Sequence, residues 1–211
     1  MKIVCISDTH ENHLNLKVPD GDILIHAGDV CFSHGQWTEI EKTHYLVDFN
    51  KWLGKLPHKH KIVIGGNHDF LFEQIPELPK TILTNAHYLH NESIKIDDFN
   101  IFGSPYQPWF YNWAFNQKEE IKETWEKIPL DTNILVTHGP PLGILDTSKS
   151  HKCGCPHLAE KIKELESLKL HVFGHIHQGY GTEGKNRVLF ANASVVNSKY
   201  ILANDPIVVN I

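Results

Sequence analysis

The sequence predicts an α/β fold built on two sheets, and three observations carry that prediction. Five short apolar, largely β-branched runs each end in turn residues followed by polar side chains of ligand type. Between the second and third of them, residues 37–56 carry apolar residues at near-helical spacing. Short alternating segments across residues 80–104 imply a second sheet.

The first run, Ile3 to Ile6, is a buried strand that delivers Asp8 and His10, two residues apart in an extended exit, toward one point beyond the strand end. A helix-capping aspartate with a solvated histidine is the competing reading. After the Pro19-Asp20-Gly21 turn, Ile23 to Ala27 ends in Gly28-Asp29, so a second strand delivers a carboxylate. In 37–56 the apolar positions are Ile40, Tyr45, Leu46, Phe49, Trp52, Leu53 and Leu56, with Gly54 and Pro57 marking the end. They predict an amphipathic helix over the sheet.

The third run opens KIVIGGNHDF, residues 61–70. Ile62, Val63 and Ile64 form the strand, and Gly65-Gly66 turns the backbone where no Cβ is tolerated. The Asn67 carbonyl can bind a hard metal, His68 can exchange a proton near neutral pH, and Asp69 can fix its tautomer. Plain turn chemistry competes with this reading too.

Ile82-Leu83, Tyr88-Leu89, Ile94-Ile96 and Ile101-Phe102 are expected as antiparallel strands, joined at Asn85-Ala86, His90-Asn91-Glu92 and Asp97-Asp98. The aromatic-rich stretch 103–116 is expected to pack on the core, with a substrate-pocket wall as the alternative. Residues 117–128 predict a short helix, and Asn133 to Thr137 a strand ended by His138-Gly139-Pro140-Pro141. HKCGCPHL, residues 151–158, has the composition of a metal knuckle, but its Cys-x-Cys spacing is too tight. Pro156 is expected instead to start a helix running through Leu165 and Leu168. Leu170 to Phe173 is the last strong run, ended by Gly174-His175-Ile176-His177, and Val188 to Phe190, Ser194 to Val196 and Ile207 to Val209 read as closing strands.

At 211 residues, 41% apolar and 21% charged, the chain has the size and composition of one soluble globular domain, residues 1–211. No apolar run approaches the roughly 20 residues of a membrane span, so no membrane partner is expected. The N-terminus enters a strand without a signal-peptide profile, which points to the cytoplasm. A net charge of −5 argues against gripping extended nucleic acid. Four unevenly placed cysteines read as reduced thiols.

In α/β sheets the ligand crevice lies at the carboxyl ends of the strands, so side chains distant in sequence can share one rim. Asp8, His10, Asp29, Asn67, His138, His175 and His177 supply seven imidazole, carboxylate and amide groups of that kind. The set suits two divalent ions, manganese foremost, with iron, zinc, cobalt or nickel also fitting, and it lacks the thiolates of a structural zinc site.

These residues fall in a pattern that resembles the calcineurin-like metallophosphoesterases: D-x-H at Asp8 and His10, GD at Gly28-Asp29, GNHD at 66–69, an isolated TH at His138 and GHIH at 174–177. The resemblance is closest to the metallophosphoesterase-domain-containing phosphodiesterases and implies a four-layer α/β/β/α sandwich of two facing mixed sheets. It also implies that Asp8, His10, Asp29 and His177 hold one metal and Asp29, Asn67, His138 and His175 the other, with Asp29 bridging. In line with that, a hydroxide bridging ions about 3.5–4 Å apart would attack phosphorus, and His68 would protonate the leaving oxygen with Asp69 stabilising its imidazolium. His13 is a further candidate for a phosphate contact, with an ordinary surface histidine as the alternative. Val30-Cys31-Phe32 follows Gly28-Asp29 where related protein phosphatases carry Asp-Arg-Gly, which disfavours phosphoproteins. The expected substrate is a small phosphodiester, cyclic nucleotides among the candidates. A nuclease on short strands, a phosphomonoesterase and a non-catalytic metal-binding scaffold are the alternatives.

Overall fold

The computed structural model describes residues 1–32 and 39–211, with side chains in the helix after Glu39 described from Thr43 onward. Strands β1 (Lys2–Ile6), β2 (Ile23–His26), β3 (His60–Val63) and β4 (His87–Tyr88) run parallel in one sheet. A second sheet contains β5 (Glu92–Ile96), β6 (Phe99–Ser104), β7 (Ile134–Thr137), β8 (Leu170–Phe173), β9 (Gly181–Lys185) and β10 (Val188–Asn192) in the order β9-β10-β8-β7-β6-β5. Its inner four strands are parallel, while β5 and β9 form antiparallel edges. The chain then returns to the first sheet as β11 (Ile207–Asn210), antiparallel to β1.

Alternation along the strands explains the layers. Ile3, Cys5, Ile23, Ile25 and Ile62 face inward and meet Ile101, Ile134, Val136, Leu170 and Val172 of the second sheet in the central core. Val4, Ile6, Leu24 and Val63 face outward, against Leu46, Phe49, Trp52 and Leu53 of helix α1 (Glu39–Lys55) and Leu71 and Phe72 of α2 (Phe70–Gln74). The third cluster sets Phe102, Leu135 and Phe173 of the second sheet against Trp125 of α4 (Ile121–Glu126) and Leu158 of α5 (Pro156–Glu164). Both faces of each sheet are thus covered, which is why the parallel strands read as continuous apolar runs. The expected four-layer α/β/β/α sandwich of two mixed sheets is the observed one.

Positions 37 and 38 of the expected first helix, and the Ile40 side chain, lie outside the described residues. Four local expectations fail. Ile82 closes a helix, α3 (Glu77–Ile82), rather than a strand. Pro76 and Pro79 sit at the N-cap and in the first turn, where missing N–H groups leave no intrahelical bond unmade. Strand β4 is parallel to β3, because a connection containing two helices returns the chain in the same direction. Ser194 to Val196 forms isolated bridges, Ser7 to Ser194 and Val196 to Leu202, in place of a strand. Helix α5 stops at Glu164, and Leu165 and Leu168 are buried from the turns that follow. Strand β9, with its mostly polar GTEGK sequence, carries no alternation that could announce it. Among the described residues no helix is long and apolar enough to cross a membrane.

Candidate metal centre

All seven expected ligands lie just beyond the carboxyl ends of β1, β2, β3, β7 and β8, on one rim shared by the two sheets. The loops are stitched to one another through the backbone: Asp8 N donates to Gly28 O at 2.9 Å, His10 N to Asp29 O at 3.1 Å and Gly174 N to His138 O at 2.9 Å. The exit from β1 is not extended, as the spacing suggested. Asp8 (φ 56°), His10 (φ 39°), Asp29 (φ 56°) and His175 (φ 65°) all adopt left-handed backbone. Aspartate and histidine are enriched there among non-glycine residues, and each such residue still costs on the order of 1 kcal/mol or more. Gly66 is needed for close approach. A Cβ there would stand 2.4 Å from both the amide nitrogen and Oδ1 of Asp29.

Asp29 is the hub. Its Oδ1 accepts the His68 amide at 2.7 Å, which leaves Oδ2 facing Nε2 of His138 at 3.4 Å, of His10 at 3.7 Å and of His68 at 4.0 Å. Asp8 accepts the His175 amide on both oxygens and lies 3.6 Å from His177 Nε2. The Asn67 Oδ1 atom receives His138 Nε2 and His175 Nδ1, each at 2.8 Å. Three overlapping sets, Asp8-His10-His177, His10-Asp29-His68 and Asp8-Asp29-His138, each bring their ligand atoms within 4.8 Å of one another.

The donor set fits a cation. Ligands held at about 2.1 Å from a common ion lie roughly 3–3.5 Å apart, near several of the separations around Asp29 and Asp8. Nδ1 of His10, His138 and His177 donates to the carbonyls of Cys31, Ala27 and Asn197, at 3.2, 2.9 and 3.1 Å. A carbonyl can only accept, so each contact fixes the tautomer and turns Nε2 inward. The inward Nε2 of His10 is buried without a hydrogen-bond partner among the described residues, as a metal-facing nitrogen should be.

Electrostatics agree. Burial alone would raise Asp8 and Asp29, but His177 at the first and His138, His68 and His10 at the second hold both well below the usual carboxylate range. Burial lowers His10 to about 4 and His175 to about 3, so both are neutral, ligand-competent imidazoles at neutral pH. Burial opposes protonation of His138 too, yet Asp29 raises it to about 9. A bound cation would displace that proton.

Asp69 departs from its expected role. Instead of pairing with the His68 ring, its carboxylate accepts backbone N–H groups from Cys31 at 2.8 Å, Gly66 at 2.8 Å and Val30 at 3.2 Å, pinning the loop after β2 to the loop after β3. His13 is likewise elsewhere. It is buried among Tyr45, Phe49 and Trp52, with Nδ1 2.7 Å from the Tyr45 hydroxyl. The cysteine pair builds no knuckle: Cys155 caps α5 by accepting Leu158 N and Trp125 Nε1, while Cys153 is an exposed free thiol.

Beside the rim opens a cavity of about 690 Å³. The aromatic stretch divides between the two roles expected for it. Ala114 and Phe115 are buried, whereas Trp109, Phe110 and Trp113 line the cavity. Trp113 lies 4.4 Å from the His68 ring, centroid to centroid. Two wall elements escaped sequence reasoning. Tyr200 sets its ring against His10 at 4.9 Å and His177 at 5.3 Å, and a small hairpin of Thr147–Ser148 paired with His151–Lys152 carries Lys149. A single tyrosine and a lysine in polar stretches carry no periodic signal.

The family model for calcineurin-like phosphoesterases matches residues 1–179. Human metallophosphoesterase domain-containing protein 1 is 39% identical over 237 residues, covering 100% of this chain and 71% of that protein. The Caenorhabditis elegans UPF0046 protein K07C11.7 is 37% identical over 226 residues, covering 99% and 74%. A crystal structure with 18% sequence identity superposes with a TM-score of 0.66 over 90% of this chain and 89% of that one, which supports the fold.

Proposed function

The chain belongs to the calcineurin-like phosphoesterase family, and on that premise we propose that this metal-dependent phosphoester hydrolase uses two divalent cations to cleave small phosphodiesters. The observation that carries the reading is Asp29, whose free Oδ2 faces three imidazole Nε2 atoms at 3.4–4.0 Å. Asp8, His10, Asp29 and His177 would hold one ion, and Asp29, Asn67, His138 and His175 the other. When bound, such ions supply Lewis acidity, acidifying water and neutralising charge on the phosphoryl oxygens.

The chain's own groups supply the remainder. Asp8 and Asp29, each oriented by backbone amides, present fixed charge without reorganisation. His68 is the proton donor to the leaving oxygen. It is nearly buried between the rim and Trp113, and its backbone N–H is anchored on Asp29. Burial lowers its pKa, and the neighbouring Asp29 carboxylate opposes that shift. Asp69 acts as a positioning residue that holds the two loops together. The aromatic wall offers a face to a base or aryl substituent, which supports diesters over inorganic-like monoesters.

Turnover of bis-p-nitrophenyl phosphate and p-nitrophenyl phosphate by the manganese-loaded protein tests the reading. The diester is expected to be the better substrate by about tenfold or more in kcat/KM. The reverse order would make the protein a monoesterase, and bound manganese without turnover of either would make it a scaffold.

A further inference from the structure

We propose that the hairpin at residues 147–152 forms an anion-binding subsite, so that the preferred substrate is a phosphodiester bearing a second phosphate group. The inference rests on the phosphodiesterase reading above and extends it to the far side of the cavity.

Charge is the first argument. The chain has 25 acidic and 20 basic residues, yet among the described residues lining the cavity Asp29 is the one acidic residue, and it belongs to the metal rim. The lysines lining the same space are Lys149 and Lys152. An acidic protein thus presents a cationic wall to its own site, and such a wall concentrates anions.

Construction is the second. Lys149 and Ser150 form the two-residue tip between Ser148 and His151. Lys149 sits there at φ 55°, in left-handed backbone where glycine or asparagine would be unstrained. The tip is held at a defined place: Lys149 N donates to Gln178 Oε1 at 2.6 Å, and Gln178 directly follows the metal-rim residue His177. At the hairpin base the fully buried Asp146 carboxylate accepts Gly143 N at 2.9 Å, Gly154 N at 3.1 Å and Lys152 Nζ at 3.1 Å.

The two lysines therefore differ. Lys152 is partly neutralised by Asp146, whereas Lys149 has no ion pair among the described residues and extends an exposed ammonium beside the cavity. A diester whose reacting phosphate occupies the metal rim can place a stacking group on the Trp113 side and a second phosphate against Lys149.

The test uses two chromogenic diesters, the 5′-(p-nitrophenyl phosphate) of thymidine and the same ester carrying a 3′-phosphate, with manganese-loaded protein. The 3′-phosphorylated ester is expected to have a kcat/KM about tenfold higher. Lys149→Ala should bring the ratio close to one, and Lys149→Arg should retain it. Equal values in the unaltered protein, or an undiminished ratio in Lys149→Ala, would overturn the subsite while leaving the phosphodiesterase reading intact. If neither ester is turned over, that reading fails, and calorimetry decides the subsite separately. Thymidine 3′,5′-bisphosphate should then bind about tenfold more tightly than thymidine 5′-monophosphate to the unaltered protein, and equally to Lys149→Ala. Equal binding to the unaltered protein overturns the proposal.

Discussion

The loop after β2 and the loop after β3 each bury an aspartate, Asp29 and Asp69, to the same 1% exposure, and the two carboxylates do opposite work. Asp29 is surrounded by imidazoles that hold it well below its ordinary pKa despite burial, and it keeps one oxygen turned into the rim. Asp69 faces the backbone. Burial and the Asp29 charge push it up to about 7 against the pull of its three N–H donors. Residue type and depth therefore do not decide a buried carboxylate's role. What surrounds its oxygens does: here an Asp29 oxygen faces imidazoles, whereas both Asp69 oxygens are taken up by backbone N–H groups of two loops.

Substitutions beside these two aspartates sharpen the contrast. His68→Asn is expected to have the largest effect, slowing an alkyl phosphodiester by about 10²–10⁴ while costing a p-nitrophenyl ester less than about tenfold, because that leaving oxygen scarcely needs a proton. Metal content, measured alongside, should be unchanged. Equal losses on both esters with metal retained would remove His68 from the proton-donor role. Asp69→Asn should behave differently. Its amide keeps one acceptor oxygen and turns an NH2 toward a backbone N–H, a loss of about 2 kcal/mol, or roughly 4–8 °C in Tm for a chain of this size. Both esters should slow together. A leaving-group-dependent loss would instead restore the imidazolium-stabilising role expected from the sequence.

How much of this was legible follows from the same distinction. The strands were readable because both faces of each sheet are buried, so Ile3 to Ile6 and Leu170 to Phe173 had to be apolar throughout. The rim was readable because its donors follow those runs directly. The direction of the Asp69 carboxylate was not, since three backbone amides from two loops leave no trace in residue types. Nor were Tyr200 and Lys149, whose places depend on left-handed turns built from residues that do not require them. Ile82 was read as strand because Ile82-Leu83 is a short apolar pair ahead of the Asn85-Ala86 turn, a pattern that does not distinguish a strand from the last residues of helix α3.

His138 and His171 extend the comparison to imidazoles on neighbouring strands and give the smallest predicted effect. His138 is raised to about 9 by Asp29, whereas His171, buried with no acid beside it among the described residues, is lowered to about 3. Its tautomer follows from Thr137. That hydroxyl donates to Gly139 O at 2.8 Å and so accepts from His171 Nε2 at 2.8 Å, leaving Nδ1 buried without a partner among the described residues. Protonation would put an unpaired N–H and a charge into the core. Unfolded, the same ring titrates near pH 6.5, so its contribution is complete above that value and is lost progressively as pH falls from about 6.5 toward 3. The slope is about 1.4 kcal/mol per pH unit, or about 2 kcal/mol between pH 6.5 and 5. His171→Gln, which keeps a donor for Thr137 but cannot titrate, should flatten the acid side of the stability profile by that amount in urea melts at the two pH values. An unchanged profile would mean that His171 gains a proton in the folded protein as readily as in the unfolded chain, and that burial without an acid does not set its state.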